Sequence, residues 1–334
     1  MLKRLLALLL PLLAVGIATP AVADHDGVVR FATLPKPGPG LPEGIAADHH
    51  GRIFVSTFTA NAVVHIFDRN GKLDETLSLP AGVVPLGLEF DGKGNLYVAD
   101  FANGDILKFR PPFNSGSVPT RIFDICGGMG SGCGLNAITF DKTGNLYVSD
   151  SFGGDIFRID TEGNITTFID GDAEDAQGKK IYEDLKPGSH GFPPFGANGL
   201  AFDAKEQNLY IANTADDRIL KYNLASKTLT RFAESINGAD GIAFDRKGRL
   251  WVAANQADEV VALNENGRVV ERVGSFRGIT HDGAAKGLLF PASIVISHGH
   301  LYVTNLALAL TPQAGDEPEE DVDTYTVSRF RLPH

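Results

Sequence analysis

Six in-register copies of one short segment constrain this chain more than any other feature. The clearest copy, Asn237 to Asn266, holds an apolar run (Gly241 to Phe244), a glycine-containing turn (Asp245 to Arg249), a second run opened by Trp251 and a third from Glu259 to Leu263. The runs are short and lack a helical period, so they are expected to be strands joined by tight turns. Aligning the turn aspartate finds the unit again at Asp48, Asp91, Asp141 and Asp203, and Ser297 takes that place in a degenerate sixth copy. The second strands then fall into register at Phe54, Tyr97, Tyr147, Tyr210, Trp251 and Tyr302, each opened by one aromatic residue.

A repeat of short strands spaced by about 40 to 60 residues predicts an all-β, six-bladed β-propeller, because each small sheet can bury its faces only against its neighbours. An ordinary sandwich needs no six-fold register. Val28 to Thr33 has no partner nearby in sequence, and the last repeat lacks a fourth strand after Thr326 to Leu332. The expectation is that the N-terminal strand pairs with the last blade and closes the ring, leaving no open edge between first and last sheets. One domain, residues 24–334, follows in spite of the length.

The first 23 residues have the pattern of a secretory signal: Lys3 and Arg4, an apolar run from Leu5 to Leu13, and Ala21-Val22-Ala23 as the cleavage site. Export to a periplasmic or extracellular location is expected, with no membrane span after cleavage. Losing Lys3 and Arg4 moves the formal net charge from −11 to −13. An acidic chain without a Lys/Arg cluster is not expected to bind nucleic acid. In an exported protein the two cysteines, Cys126 and Cys133, are expected to pair, contributing roughly 2.5 kcal/mol by closing a short loop.

Propeller geometry places equivalent repeat positions on one ring around the axis. Five residues before the turn position the copies carry Glu43, Leu86, Asn136, Asn198, Asp240 and Ala292. The neighbouring columns are uniform: Gly44, Gly87, Gly199 and Gly241 follow the ring residue, and Phe90, Phe140, Phe202 and Phe244 precede the turn. Only the ring column diversifies, into two carboxylates, two amides and two apolar residues. Two carboxylates a few ångströms apart repel by about 4 kcal/mol at an effective dielectric of 20, and a divalent cation relieves that repulsion. All-oxygen ligation favours Ca²⁺, with Mg²⁺ and Mn²⁺ as alternatives.

Together with EGIAAD, NAITFD, NGLAFD and DGIAFD, this pattern resembles the SMP-30/gluconolactonase/LRE-like family over nearly all of the mature chain. The resemblance implies a metal-dependent lactone hydrolase whose Glu, Asn and Asp at such blade starts bind the cation, matching Glu43, Asn198 and Asp240. It also implies a ligand or metal contact for Asn136. Sugar-lactone members tend to carry arginine two residues before the site asparagine, where this chain has Gly134. Leu86 and Ala292 are expected to make the substrate pocket partly apolar.

A lactone or ester is the expected substrate, with Asp240 as both ligand and general base. The long insertion Asp170 to Ala197 is expected to overhang the ring and to contribute His190 and Phe195 to the substrate. The acidic run Asp316 to Asp323 reads as a solvated loop. No G-x-S-x-G elbow occurs, and His49, His50, His298 and His300 fall in turns on the opposite face. Asp100 and Asp150 are expected to satisfy loop amides. The rival reading is a non-catalytic, NHL-like propeller that binds a protein or peptide ligand on the same face.

Overall fold

The computed structural model describes residues 23–25, 27–36, 40–59, 62–128, 130, 132–188, 194–308 and 322–333. The leader, apart from Ala23, lies outside these residues, as do His190 and positions 316–321 of the acidic run. Among them, antiparallel sheets follow one another in chain order, starting with inner strands Leu41–Ala47, Pro85–Phe90, Leu135–Phe140, Ala197–Phe202 and Ala239–Phe244. These are blades 1 to 5. Blade 6 runs outward from Pro291–Ser297 through His300–Asn305 and Thr326–Arg331, and its outermost strand is Val29–Thr33. That strand pairs antiparallel with Thr326–Arg331, Val29 opposite Arg329 and Thr33 opposite Thr326. Ala23–His25 adds a short parallel strand outside blade 5.

The repeat columns have distinct physical causes. Each turn aspartate folds its own loop: Asp48 Oδ1 accepts the backbone N–H of His50 and of Arg52, both at 2.9 Å, and Asp245 Oδ1 does the same for Lys247 and Arg249. This is the side-chain bonding that makes Asp a turn former. In four of the six blades the aromatic residue opening the second strand packs edge-on against the phenylalanine before the next blade's turn. The pairs Phe54–Phe90, Tyr97–Phe140, Tyr147–Phe202 and Tyr210–Phe244 have centroids 4.9 to 5.1 Å apart. The glycine column marks close backbone approach. A Cβ on Gly44 would stand 1.9 Å from the Leu86 carbonyl oxygen, and one on Gly199 would stand 2.2 Å from that of Asp240.

Six apolar clusters fill the boundaries between successive blades. The one between blades 6 and 1 combines Phe31, Ala32 and Leu34 with Ile45, Ile53, Phe67, Tyr302 and Val327, so the N-terminal segment contributes to the seam where the ring closes. Cys126 and Cys133 form a disulfide across a Cα separation of 6.1 Å in the connection between blades 2 and 3.

Among its described residues, the long insertion packs on blades 3 and 4. Leu185 is buried among blade 3 and 4 residues, and Asn213 Nδ2 donates to the carbonyls of Asp184 and Lys186 at 2.7 and 3.0 Å. The Asp184 carboxylate accepts from Arg218 and Arg231, at 2.7 and 2.9 Å. These bonds tie residues 184–186 to the second, third and fourth strands of blade 4. Near its C-terminal end, Phe195 packs against Phe101 and Phe152.

Candidate functional site

Every inner strand breaks register where its ring residue sits, between Pro42 and Ile45 in blade 1 and at the equivalent step in the other five. A bulge re-aims the side chain it carries. The ring thereby gathers Glu43, Asn136, Asn198 and Asp240, which are 6, 3, 3 and 6% exposed. Leu86 and Ala292 complete the circle as buried apolar members. On the other side of the ring, a cavity of about 1070 Å³ extends toward the turns; Asn136, Asn198, Glu89, His49 and His298 are among its lining residues.

A second set of side chains orients the first. Asn136 Nδ2 donates to Ser151 Oγ at 3.2 Å, and Asn198 Nδ2 donates to Thr214 Oγ1 at 2.9 Å. Committing both nitrogens leaves the amide carbonyl oxygens as the donors available to a cation. Ser151 and Thr214 in turn donate to the carbonyls of Ala197 and Ala239, the residues just before Asn198 and Asp240. On blade 5, Asn255 Nδ2 donates directly to Asp240 Oδ2 at 3.2 Å.

The two carboxyls are close enough to feel each other. Burial pushes Glu43 well above the usual carboxylate range, and the charge of Asp240 raises it further. Burial also pushes Asp240 up to about 7, against hydrogen bonds from Asn255 and Asn198 that favour its charged form. Glu43 Oε2, Asp240 Oδ1 and Asn255 Oδ1 are all buried without a hydrogen-bond partner. An unsatisfied buried oxygen is costly, and carboxylate and amide oxygens are the donors that Ca²⁺ or Mg²⁺ selects. The residues present therefore fit a hard divalent cation.

Phe195 packs with Phe101 and Phe152 beside the ring, while Asp100 and Asp150 cap loop amides: Asp150 Oδ1 accepts from Gly134 N at 2.8 Å and Phe152 N at 3.0 Å. His49 and His298 lie at the opposite end of the axial cavity. The sequence reading does not single out Ser151, Thr214 or Asn255, although a signal for them exists. Four residues after each strand-opening aromatic stand Phe58, Phe101, Ser151, Thr214, Asn255 and Leu306. This second column is polar on the three blades whose ring residues are Asn136, Asn198 and Asp240. Glu89 is also missed; burial lifts it to about 7 within the axial cavity.

Fold and site together define a six-bladed propeller with a polar, oxygen-rich ring at one end of its axis. Residues 194–276, which contain Asn198, Asp240 and Asn255, match the family described as SMP-30/Gluconolactonase/LRE-like region. Among solved structures, a luciferin-regenerating enzyme aligns with 91% of this chain and 94% of its own at 15% identity and a TM-score of 0.64. A gluconolactonase from Xanthomonas campestris aligns over 92% and 89% at 15% identity and TM-score 0.63. A virginiamycin B lyase from Staphylococcus aureus aligns over 92% and 98% at 16% identity and TM-score 0.55. At these identities the structures share the fold alone. A search of curated proteins finds no match.

Proposed function

We propose that this protein is an exported, divalent-cation-dependent hydrolase of a lactone or ester, with Ca²⁺ as the favoured cation. The observation that carries the reading is the pair of buried carboxyls, Glu43 and Asp240, close enough for the charge of Asp240 to raise the pKa of Glu43, each with an oxygen that has no hydrogen-bond partner. The family match over residues 194–276 and the gluconolactonase-like architecture support it. The leader with its Ala21-Val22-Ala23 site supports export, and no helix among the described residues is long and apolar enough to cross a membrane.

Glu43, Asn136, Asn198 and Asp240 would hold the cation. When bound, it supplies Lewis-acid polarisation of the substrate carbonyl and charge stabilisation for the oxyanion that forms. The chain's own contribution is orientation and proton transfer. Ser151 and Thr214 fix the two asparagines, and Asn255 fixes Asp240 through Oδ2, leaving Oδ1 for a proton from the attacking water. Leu86, Ala292, Phe195 and His190 are assigned to the substrate side; Leu86 and Ala292 are buried and serve as an apolar floor.

The test is metal analysis of purified protein beside a broad panel of lactones and esters. Stoichiometric calcium with turnover that EDTA abolishes and Ca²⁺ restores is expected. Bound metal without turnover of any panel member would leave the ring to a non-catalytic ligand-binding propeller, and protein free of metal after purification in Ca²⁺ would remove the metal site.

A further inference from the structure

Three phenylalanines from three different blade connections meet beside the oxygen ring. Phe101, Phe152 and Phe195 have centroid separations of 5.4, 5.9 and 5.9 Å and are edge-on or tilted to one another, which is favourable aromatic packing. Their backbones are fixed: Phe101 N donates to Val84 O, Phe152 N to Asp150 Oδ1, and Phe195 O accepts from Ala215 N. Phe152 follows Ser151, the partner of Asn136, and Phe195 lies three residues before Asn198. The cluster therefore borders the ring directly, yet Phe152 remains 39% exposed.

Gly134 explains how the rings come so close. A Cβ there would stand 2.8 Å from Phe101 Cε2 and from Phe152 Cδ2 and Cε2, so the two rings occupy the space that a side chain two residues before Asn136 would need. Across the axis, Phe290, Ala292 and Leu306 form a second apolar cluster with Leu41 and Leu308. Phe290 adopts a left-handed backbone (φ 42°), uncommon for a bulky residue, with its N–H donated to Asp258 Oδ1 at 2.7 Å. Asn136, Asn198 and Asn255 each direct an amide N–H to a partner within the site.

We infer that the substrate of this site carries an aryl or medium-chain alkyl group, seated on Phe101, Phe152 and Phe195, and is not a polyhydroxylated sugar lactone. The inference rests on the hydrolase reading above for the reaction, but on the aromatic cluster and Gly134 for the ligand. Set on three phenylalanine rings, a sugar's hydroxyls lose water without finding partners there, whereas an apolar ring gains contact area.

The test uses the full mature protein in Ca²⁺. Turnover of dihydrocoumarin, δ-valerolactone and glucono-δ-lactone is compared, and binding of the non-hydrolysable lactam 3,4-dihydroquinolin-2-one is measured by calorimetry. The aryl lactone should exceed the sugar lactone in kcat/KM by at least about tenfold, the value of one good apolar contact. Phe152→Ala should weaken lactam binding by about tenfold and raise KM for dihydrocoumarin more than for δ-valerolactone, with Phe152→Leu intermediate. Equal or better turnover of glucono-δ-lactone, or lactam affinity within twofold of wild type in Phe152→Ala and Phe195→Ala, would overturn the inference. Tight, Phe152-dependent lactam binding without turnover of any lactone would uphold the pocket and defeat the hydrolase reading.

Discussion

Replacing Asp240 with Asn should stabilise the cation-free protein and destabilise the cation-loaded one. Asp240 has a folded-state pKa of about 7 against an ordinary value of 3.8, because burial disfavours its charge. The folded pKa is raised, so the carboxyl's contribution to stability is fully present below about pH 4, declines through the interval between the two values, and is lost above pH 7. The interval corresponds to about 4 kcal/mol, reached by pH 8 and still under about 2 kcal/mol at pH 5. Asparagine is neutral throughout and so retains what the wild type loses. The neighbouring Asn255 can turn its amide so that Oδ1, without a partner in the wild type, accepts from the new Nδ2. At roughly 2 °C per kcal/mol for a chain of this size, Tm in EDTA should rise by several degrees at pH 8 and by little at pH 5. Saturating Ca²⁺ should reverse the order, since binding only the native state stabilises the wild type by about 4 kcal/mol at a thousand times Kd, and the variant has lost one of the two charges. Differential scanning calorimetry at both pH values, with EDTA and with Ca²⁺, measures all four quantities. A variant less stable than wild type by the same margin in all four conditions would refute the buried-charge argument.

Cys126→Ser should cost about 2.5 kcal/mol on the chain-entropy account, read as an earlier urea midpoint, while Ca²⁺ affinity stays within threefold because the loop lies outside the oxygen ring. Intact mass should place the mature N-terminus at Asp24 and show two fewer hydrogens than the reduced chain; a retained leader or alkylatable thiols in periplasmically expressed protein would contradict it. Deleting residues 24–34 removes Phe31 and Leu34 from the seam between blades 6 and 1, a loss of roughly 3 to 6 kcal/mol for two buried side chains. Hydrogen exchange should then accelerate in Thr326–Arg331 and in Leu41–Ala47 together, and unchanged protection in either would show that the strand does not secure the seam.

The architecture was legible because each repeat column records one unavoidable contact. Asp245 folds a turn, Trp251 or Tyr147 meets the next blade, and Gly199 lets two backbones approach, so each residue type recurs wherever the contact does. The ring residues were legible for the opposite reason, since a column that varies amid constant neighbours is free of architectural duty. Asn255 was legible only through its column, polar on the three blades that carry Asn136, Asn198 and Asp240; that it reaches Asp240 from the connection after the neighbouring strand appears only in the fold. The aromatic cluster was legible only at Phe195. Phe101 and Phe152 follow second strands in blades 2 and 3, about 94 and 43 residues before Phe195, and only the side-by-side packing of successive blades brings the three together.

Holding Glu43 and Asp240 near one another without a cation demands a frame that cannot relax outward, and the bonds running around the ring provide it. Thr304 Oγ1 of blade 6 donates to the Glu43 carbonyl at 2.7 Å; Ser56 of blade 1 donates to the Leu86 carbonyl at 2.8 Å; Ser151 and Thr214 continue the pattern to Ala197 and Ala239. Each bond fixes the backbone of one inner strand to a hydroxyl of the preceding blade. The glycines keep those strands in backbone contact, so a displaced ring residue would have to move its neighbour as well. In an open array the two carboxylates could separate by a small rotation of each sheet, and their repulsion would dissipate. In a closed ring that rotation is opposed from both sides, so the repulsion remains until a proton or a cation neutralises it. The pairing of Val29–Thr33 with the last blade therefore bears on the chemistry as well as on stability: it holds the seam across which Thr304 fixes Glu43.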